Sequence, residues 1–389
     1  MNTAKLYGNW NYPTQVCFGE GRVRELPELC GQLSMYKPLI VTDPYMASLP
    51  LITELRQLCA GDGIELGLFS EVKSNPSDIN VAAGVNHYRQ RGHDGIIALG
   101  GGSALDAGKA IALMVGQNRP LWDFEDAGDN YKRANTESIA KIIAIPTTAG
   151  TGSEVGRASV IVDTVACNKR LIFHPLMLPS VVISDPELCL SLPPHLTAAT
   201  GMDALAHNME AYFAPGFHPL ADGIALEGCR LIKQYLPTAV KEGNNIEARA
   251  HLLAAATMGA TAFQKGLGVI HSLSHPVGAI YDVHHGLLNA ILMPYALIYN
   301  RKFIEDKCCH LARLLDLPNP SFESLLDWVL AFCQKLDIPL SLHDIGIDHS
   351  DIDTVVRLAL ADPSTASNPR PMNFSELKVM YGNAIDGRL

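Results

Sequence analysis

The chain has 389 residues, room for two or three domains at about 150 residues each, and 48% of them are apolar against 18% charged. That composition buries a sizeable core and excludes global disorder. Thirty Lys and Arg against forty Asp and Glu leave a net charge of −10, which disfavours nucleic acid and anionic membrane surfaces as partners.

No run reaches the ~18 consecutive apolar residues of a membrane span. The longest candidate, Leu287–Tyr299, is broken by Asn289 and Pro294. The opening MNTAKLYGNWNYPTQ has no apolar h-region and no small-residue cleavage pattern, so no secretory signal is expected. Nine cysteines contain no Cys-x-x-Cys pair, and Cys308 and Cys309 are adjacent. This usage points to reduced thiols in a cytoplasmic protein, most of them buried as small hydrophobes.

In chain order, strands are predicted at Gln15–Phe18, Pro38–Thr42, Leu66–Ser70, Gly95–Leu99 and Ile142–Ile145. Helical patterns lie between them near 21–34, 49–60, 78–91 and 103–115. Alternation at this spacing predicts an α/β layer with a parallel sheet. Ile96–Leu99 form a continuous apolar run, as a central strand covered on both faces requires. Beyond about residue 192 the strands stop, at Pro193-Pro194. Helices are predicted at 196–213, 219–236, 246–265, 267–280, 286–300, 303–315, 322–336, 350–361 and 374–385. The expected organisation is an α/β nucleotide-binding domain over residues 1–192 and an all-α metal-binding domain over 193–389, with the cleft between them as the default place for a ligand.

Strand Gly95–Leu99 runs into Gly100-Gly101-Gly102-Ser103 and then a helix. Glycines permit close approach of the backbone, and the helix N-terminus offers free N–H groups, so a pyrophosphate fits there. The spacing is not the G-x-G-x-x-G fingerprint, and a plain strand–helix turn is the competing reading. Strand Ile142–Ile145 ends in Pro146-Thr147-Thr148-Ala149-Gly150-Thr151-Gly152-Ser153-Glu154, a polar loop at the ligand-binding edge of an open sheet. Asp43, after the strand Leu39–Thr42, can accept both ribose hydroxyls and repel the extra phosphate of NADP, with an Asp-Pro turn starter as the competing reading.

The helix starting near Thr197 carries Asp203 and His207, four apart and so on one face. His271, His275, His284 and His285 follow within fifteen positions. One straight helix would separate His271 and His285 by about 21 Å, whereas ligands lie about 2 Å from an ion. The chain must therefore turn between them, with room at Gly278 and Asp282–Gly286, and His285 opens the next helix. Three imidazoles with one carboxylate suit Fe(II) or Zn(II), and the spacing alone leaves open whether His284 or His285 is the ligand.

Together these motifs resemble the iron-containing (group III) alcohol dehydrogenase family across essentially the whole chain. The carrying residues are Gly-Gly-Gly-Ser-Ala-Leu-Asp at 100–106, the loop at 146–154, Gly-Met-Asp-Ala-Leu-Ala-His at 201–207, His-Ser-Leu-Ser-His-Pro at 271–276, His285-Gly286 and the tail Asn368-Pro369-Arg370. The resemblance implies a dehydroquinate synthase-like, iron-containing alcohol dehydrogenase fold and an NAD-dependent alcohol dehydrogenase or aldehyde reductase. It assigns Asp203, His207, His271 and His285 to the metal, His275 to a proton relay, and Gly100, Gly101, Gly102, Ser103, Asp106, Thr147, Thr148 and Thr151 to the cofactor. It also assigns Asp43 to NAD preference. In that chemistry the metal lowers the alcohol pKa and hydride passes to the nicotinamide. Homodimers are common among such relatives.

Arg157 and Lys265 depart from the family pattern and are candidates to pair with an anionic substrate end, as in 4-hydroxybutyrate or succinic semialdehyde. Structural salt bridges are the alternative for both. Two other functions compete: a polyol dehydrogenase or lyase on the same fold, disfavoured by the Asp plus three His set, and a non-catalytic assembly module.

Overall fold

The computed structural model describes residues 8–10, 14–166 and 168–389. Most of the N-terminal stretch read above, and Cys167, lie outside the described residues. The chain forms two compact units, Met1–Thr148 with Gly152–Cys189, and Leu190–Leu389 with Ala149–Thr151.

The first unit contains β1 (Gly8–Trp10), β2 (Gln15–Phe18), α1 (Leu26–Gln32), β3 (Leu39–Val41), α2 (Pro44–Ala47), α3 (Pro50–Ala60), β4 (Gly67–Phe69), α4 (Asp78–Arg91), β5 (Ile96–Gly100), α5 (Gly102–Met114), β6 (Ile142–Pro146), β7 (Ala158–Asp163), β8 (Asn168–Phe173) and β9 (Val181–Ser184). Seven strands form one sheet in the order β1-β2-β9-β6-β5-β3-β4. Every pair is parallel except β1 with β2. The all-apolar central strands are buried along their whole length, as a sheet with covered faces demands. A capping box between Ser77 and Asn80 starts α4, and Gly92 in the left-handed region ends it.

Two features escaped the sequence reading. β9 has only four residues, yet it is inserted between β2 and β6 and is wholly buried. β7 and β8 form a separate antiparallel hairpin, whose second strand carries Lys169 and Arg170 and so lacked an apolar signature.

The second unit contains α6 (Pro194–Phe213), α7 (Pro219–Lys241), α8 (Ile246–Ala262), α9 (Val269–Tyr281), α10 (His285–Leu314), α11 (Phe322–Lys335), α12 (Ile352–Ala361) and α13 (Phe374–Asp386). The predicted helices 286–300 and 303–315 are one continuous α10. Ile304, Cys308, Leu311 and Ala312 continue its buried stripe past the charged pair Arg301-Lys302. Arg249 of α8 is buried and donates to the Leu192 carbonyl (3.0 Å), Thr197 Oγ1 (2.7 Å) and the Gly243 carbonyl (3.0 Å). It thereby pins the start of α6. No helix among the described residues is long and apolar enough to cross a membrane.

Candidate active site

In the first unit, the strand order makes three loops neighbours. β5 lies between β3 and β6, and all three run parallel, so Asp43, Gly100–Ser103 and Thr147 follow adjacent strand ends. From β3 the chain goes to β4 on one side and then to β5 on the other. The β3/β5 boundary is therefore the topological switch point, where open α/β sheets bind ligands.

Gly100 has φ +141°, and a Cβ there would lie 2.8 Å from Ala104 Cβ and 3.6 Å from Asp43 Oδ2. Only glycine fits that turn. Gly101 precedes α5 with no side chain capping it, and its carbonyl accepts from the Ala104 and Leu105 N–H groups, so it is the earlier N–H groups of the helix that are offered to a ligand. Asp43 caps α2 through Oδ1, accepting from the Met46 N–H at 3.0 Å. The Thr147 N–H donates to the Gly100 carbonyl at 3.0 Å, locking the two loops together. Thr148 lies beside Gly101, 3.4 Å from where its Cβ would stand. Ser103 donates to the Ser74 carbonyl. Thr151 belongs to the second unit.

Asp106 is held by partners within the first unit. Its Oδ1 accepts from Ser153 Oγ (2.5 Å) and faces Lys109 Nζ (3.2 Å), and its Oδ2 accepts from the Val160 N–H (2.8 Å). Both oxygens are engaged in tying α5 to β7.

In the second unit, α6, α9 and α10 converge. Asp203 Oδ1 lies 3.9 Å from His207 Nδ1, 3.9 Å from His271 Nε2 and 3.7 Å from His285 Nε2. Atoms that each bind one ion at about 2 Å stand no more than about 4 Å apart, so these separations fit a shared ion. Asp203, His207 and His271 form the tightest set, all buried, with ligand atoms within 4.8 Å of one another. His285 is the first residue of α10 and sits against this set, whereas His284, just outside the helix, is exposed. The expected turn is real: α9 stops at Tyr281, and Asp282 takes φ 52°. Gly278 is not part of it but lies buried inside α9. Gly286 lets α10 approach α6 closely, because a Cβ would fall 2.3 Å from the Ala199 carbonyl oxygen.

The donor set fits a divalent metal on its own chemistry. His207 Nδ1 is buried with no hydrogen-bond partner. Asp203 Oδ1, His271 Nε2 and His285 Nε2 all face the Asn289 amide nitrogen, at 2.7, 3.2 and 3.1 Å. One amide has two hydrogens for three acceptors, a surplus of lone pairs that a cation satisfies.

Two carboxylates missed by the sequence reading orient the imidazoles. Glu210 Oε2 lies 2.5 Å from His271 Nδ1, and its Oε1 accepts from the Ile270 N–H at 2.8 Å. With Nδ1–H donated to Glu210, His271 presents Nε2 as a lone pair toward Asp203. Burial pushes the Glu210 carboxyl up to about 7, against the pull of the Ile270 and Gly268 N–H groups. A cation at His271 opposes that rise. Glu210 stands seven residues after Asp203 and three after His207 on the same helix face, and this periodicity was the available signal.

His275 Nδ1 lies 2.8 Å from Asp362 Oδ2. Burial raises the Asp362 carboxyl, but the facing His275 and hydrogen bonds from Ser364 outweigh it and hold the group below its ordinary range.

The tail motif is explained by the same helix. Ser367 Oγ accepts from the Leu267 N–H and Asn368 Oδ1 from the Val269 N–H, both at 3.1 Å, while Thr365 Oγ1 donates to Ser272 Oγ at 2.9 Å. The segment clamps the N-terminal half of α9, which carries His271 and His275.

Of the two departing cations, Lys265 makes the structural salt bridge that was the alternative for it. Its side chain is 2% exposed, pairs with Asp222 and donates to the Tyr212 carbonyl at 3.2 Å. Arg157 is exposed, and its guanidinium lies 5.7 Å from the centroid of the Phe173 ring on the β7–β8 hairpin.

Residues 13–186 match the model described as iron-containing alcohol dehydrogenase, and 197–385 match the Fe-containing alcohol dehydrogenase family, C-terminal. The chain is 36% identical over 384 residues to 4-hydroxybutyrate dehydrogenase of Cupriavidus necator, covering 96% of this chain and 99% of that one. It is similar to a solved 1,3-propanediol oxidoreductase, with TM-score 0.91, 32% identity and coverage of 98% and 100%. It is also similar to sulfoacetaldehyde reductase from Bifidobacterium kashiwanohense solved with NAD+, with TM-score 0.87, 28% identity and coverage of 98% and 99%. The chain belongs to the iron-containing alcohol dehydrogenase family and is an NAD- and metal-dependent oxidoreductase.

Proposed function

We propose that the chain exchanges hydride between NAD(H) and a small primary alcohol or aldehyde, with Asp203, His207, His271 and His285 holding the metal. One observation carries this reading: three imidazole nitrogens stand 3.7–3.9 Å from Asp203 Oδ1. When bound, the divalent ion supplies Lewis-acid polarisation of the alcohol oxygen and the nicotinamide supplies the hydride exchange. Asp203 brings one negative charge to the set and the neutral imidazoles bring lone pairs. Glu210 keeps the proton of His271 on Nδ1, away from the ligating face. Asp362 does the same for His275, leaving Nε2 of that ring to take the proton released by the alcohol. The His275 side chain is 21% exposed, so the proton has a way on to solvent.

On the cofactor side, Gly100, Gly101, Gly102 and Ser103 are assigned to the pyrophosphate and Thr147, Thr148 and Thr151 to the length of the dinucleotide. Asp43 is assigned to the ribose hydroxyls, giving preference for NAD over NADP. The reading includes a division of labour near residue 192, a cytoplasmic setting that keeps the thiols reduced, and a homodimer.

Anaerobically prepared protein loaded with Fe2+ or Zn2+ is expected to form NADH from a panel of primary alcohols, and Asp203→Ala and His271→Ala to lose both metal and activity. Failure of the parent protein to retain either metal would overturn the assignment.

A second reading is an acid-ended substrate. It is favoured by the 36% identity to a 4-hydroxybutyrate dehydrogenase and the likeness to a reductase whose aldehyde carries a sulfonate. With Lys265 paired to Asp222, Arg157 is the remaining candidate for the anionic end. A kcat/KM ratio for 4-hydroxybutyrate over butanol that drops at least tenfold in Arg157→Ala supports it. Equal rates for the two substrates, unchanged by the substitution, sink it.

A further inference from the structure

We propose that Asn289 is a positioning residue of the metal centre, whose amide holds the Asp203 carboxylate in place while the neighbouring imidazoles turn their lone pairs to the ion. The inference rests on the metal-site reading above and names a residue outside its ligand set.

Asn289 lies one turn into α10, four residues after His285, so the two side chains leave the same helix face. The residue is fully buried. Its Nδ2 contacts three groups from three helices: Asp203 Oδ1 of α6 at 2.7 Å, His285 Nε2 of its own helix at 3.1 Å and His271 Nε2 of α9 at 3.2 Å. No hydrogen-bond partner meets its Oδ1, so the amide is held in this orientation from the ligand side alone. The shortest contact is the one to the only charged partner, as expected for a charge-assisted bond.

The count of hydrogens gives the logic. Two N–H groups cannot serve three acceptors at once. Once the histidine lone pairs are given to a cation, one N–H suffices for Asp203, and no acceptor in the set is left over. A carboxylate fixed in this way presents Oδ1 to the ion without first having to be ordered, the part that conserved hydrogen-bond partners play behind metal ligands. The flanking Leu288, Ala290, Ile291 and Leu292 are all buried and apolar.

The test is equilibrium binding of Co2+ and Zn2+ by chelator competition, together with the visible absorption spectrum of the Co2+ protein, on the parent, Asn289→Leu and Asn289→Asp. Leu keeps the approximate volume and removes the donor. Its Co2+ and Zn2+ dissociation constants are expected to rise about 10- to 100-fold, with altered Co2+ bands. Asp differs from Asn by one atom and so keeps the fold testable should Leu fail to fold. It places an anionic oxygen where the donor stood, so the Co2+ bands are expected to shift with no loss of affinity. Parent protein that binds neither ion would overturn the metal-site reading itself. Parent protein that binds, with both variants matching its constants and its spectrum, would overturn the role of Asn289 alone.

Discussion

Replacing Glu210 by Gln tests whether the imidazoles are oriented from behind. The substitution keeps size and shape but exchanges one acceptor oxygen for an NH2 group. In the parent, one oxygen accepts from the Ile270 N–H (2.8 Å) and the other lies 2.5 Å from His271 Nδ1. Gln can satisfy only one of them. If its oxygen stays on Ile270, its NH2 faces His271 Nδ1 and drives the ring proton to Nε2, the atom 3.9 Å from Asp203 Oδ1. A protonated nitrogen cannot ligate. If the oxygen goes to His271 instead, a buried backbone N–H at the start of α9 meets another donor, at a cost of about 1–3 kcal/mol. The first outcome weakens metal binding by roughly 10- to 100-fold, equivalent to about 1.4–2.7 kcal/mol, whereas the second shows as lost stability. Chelator competition with Zn2+ measures this, and thermal unfolding of the metal-free variant controls for general damage. A dissociation constant within twofold of the parent, with unchanged thermal unfolding of the metal-free variant, would refute the argument that Glu210 sets the tautomer of His271.

At the cofactor loop, Gly100→Ala forces a Cβ to 2.8 Å from Ala104 Cβ at φ +141°. It is expected to lower stability by more than about 1 kcal/mol and to weaken NADH binding at least tenfold, read by NADH fluorescence titration; unchanged binding would place the pyrophosphate elsewhere. Asp222→Leu leaves the Lys265 ammonium buried without its counter-charge and is expected to destabilise by about 3 kcal/mol in denaturant unfolding, with Asp222→Leu/Lys265→Met recovering most of it. A change in the preference between acidic and neutral substrates in that double variant would restore Lys265 as a substrate contact. Burial, and after it the neighbouring Lys265 cation, lower Lys307 from its ordinary 10.5 to about 8. The unfolded chain then binds more protons than the native one between those two values, so the destabilising contribution of Lys307 is full below pH 8 and fades as the pH rises toward 10.5. The Tm advantage of Lys307→Met over the parent is therefore expected to shrink from pH 8 to pH 10, and a pH-independent difference would contradict it.

Local patterns were enough for much of this protein. The apolar run Ile96–Leu99 and the glycines behind it specify a buried strand turning into a helix, because no other residue types permit that burial and that backbone. The i, i+4 spacing puts Asp203 and His207 on one helix face, and the distance argument separating His271 from His285 calls for a turn. These are consequences of helix geometry, which is local.

Tertiary structure decided the rest. That β3, β5 and β6 are neighbours, and so bring Asp43, Gly100 and Thr147 to one edge, depends on strand order, which no window of sequence carries. The four-residue β9 is too short to announce itself, yet it is central because the sheet has a place for it. Lys265 and Asp106 looked available in the sequence because charge is visible there and partners are not; Asp222 and Val160, 43 and 54 positions away, take them up. Asp362 and Asn368 reach α9 from 87 and 99 positions downstream. The sequence determined which side chains are able to bind metal and cofactor. Only the packing of distant elements decided which lone pairs are free to do so, because a hydrogen bond or ion pair between remote residues uses up a group without leaving any mark on its local pattern.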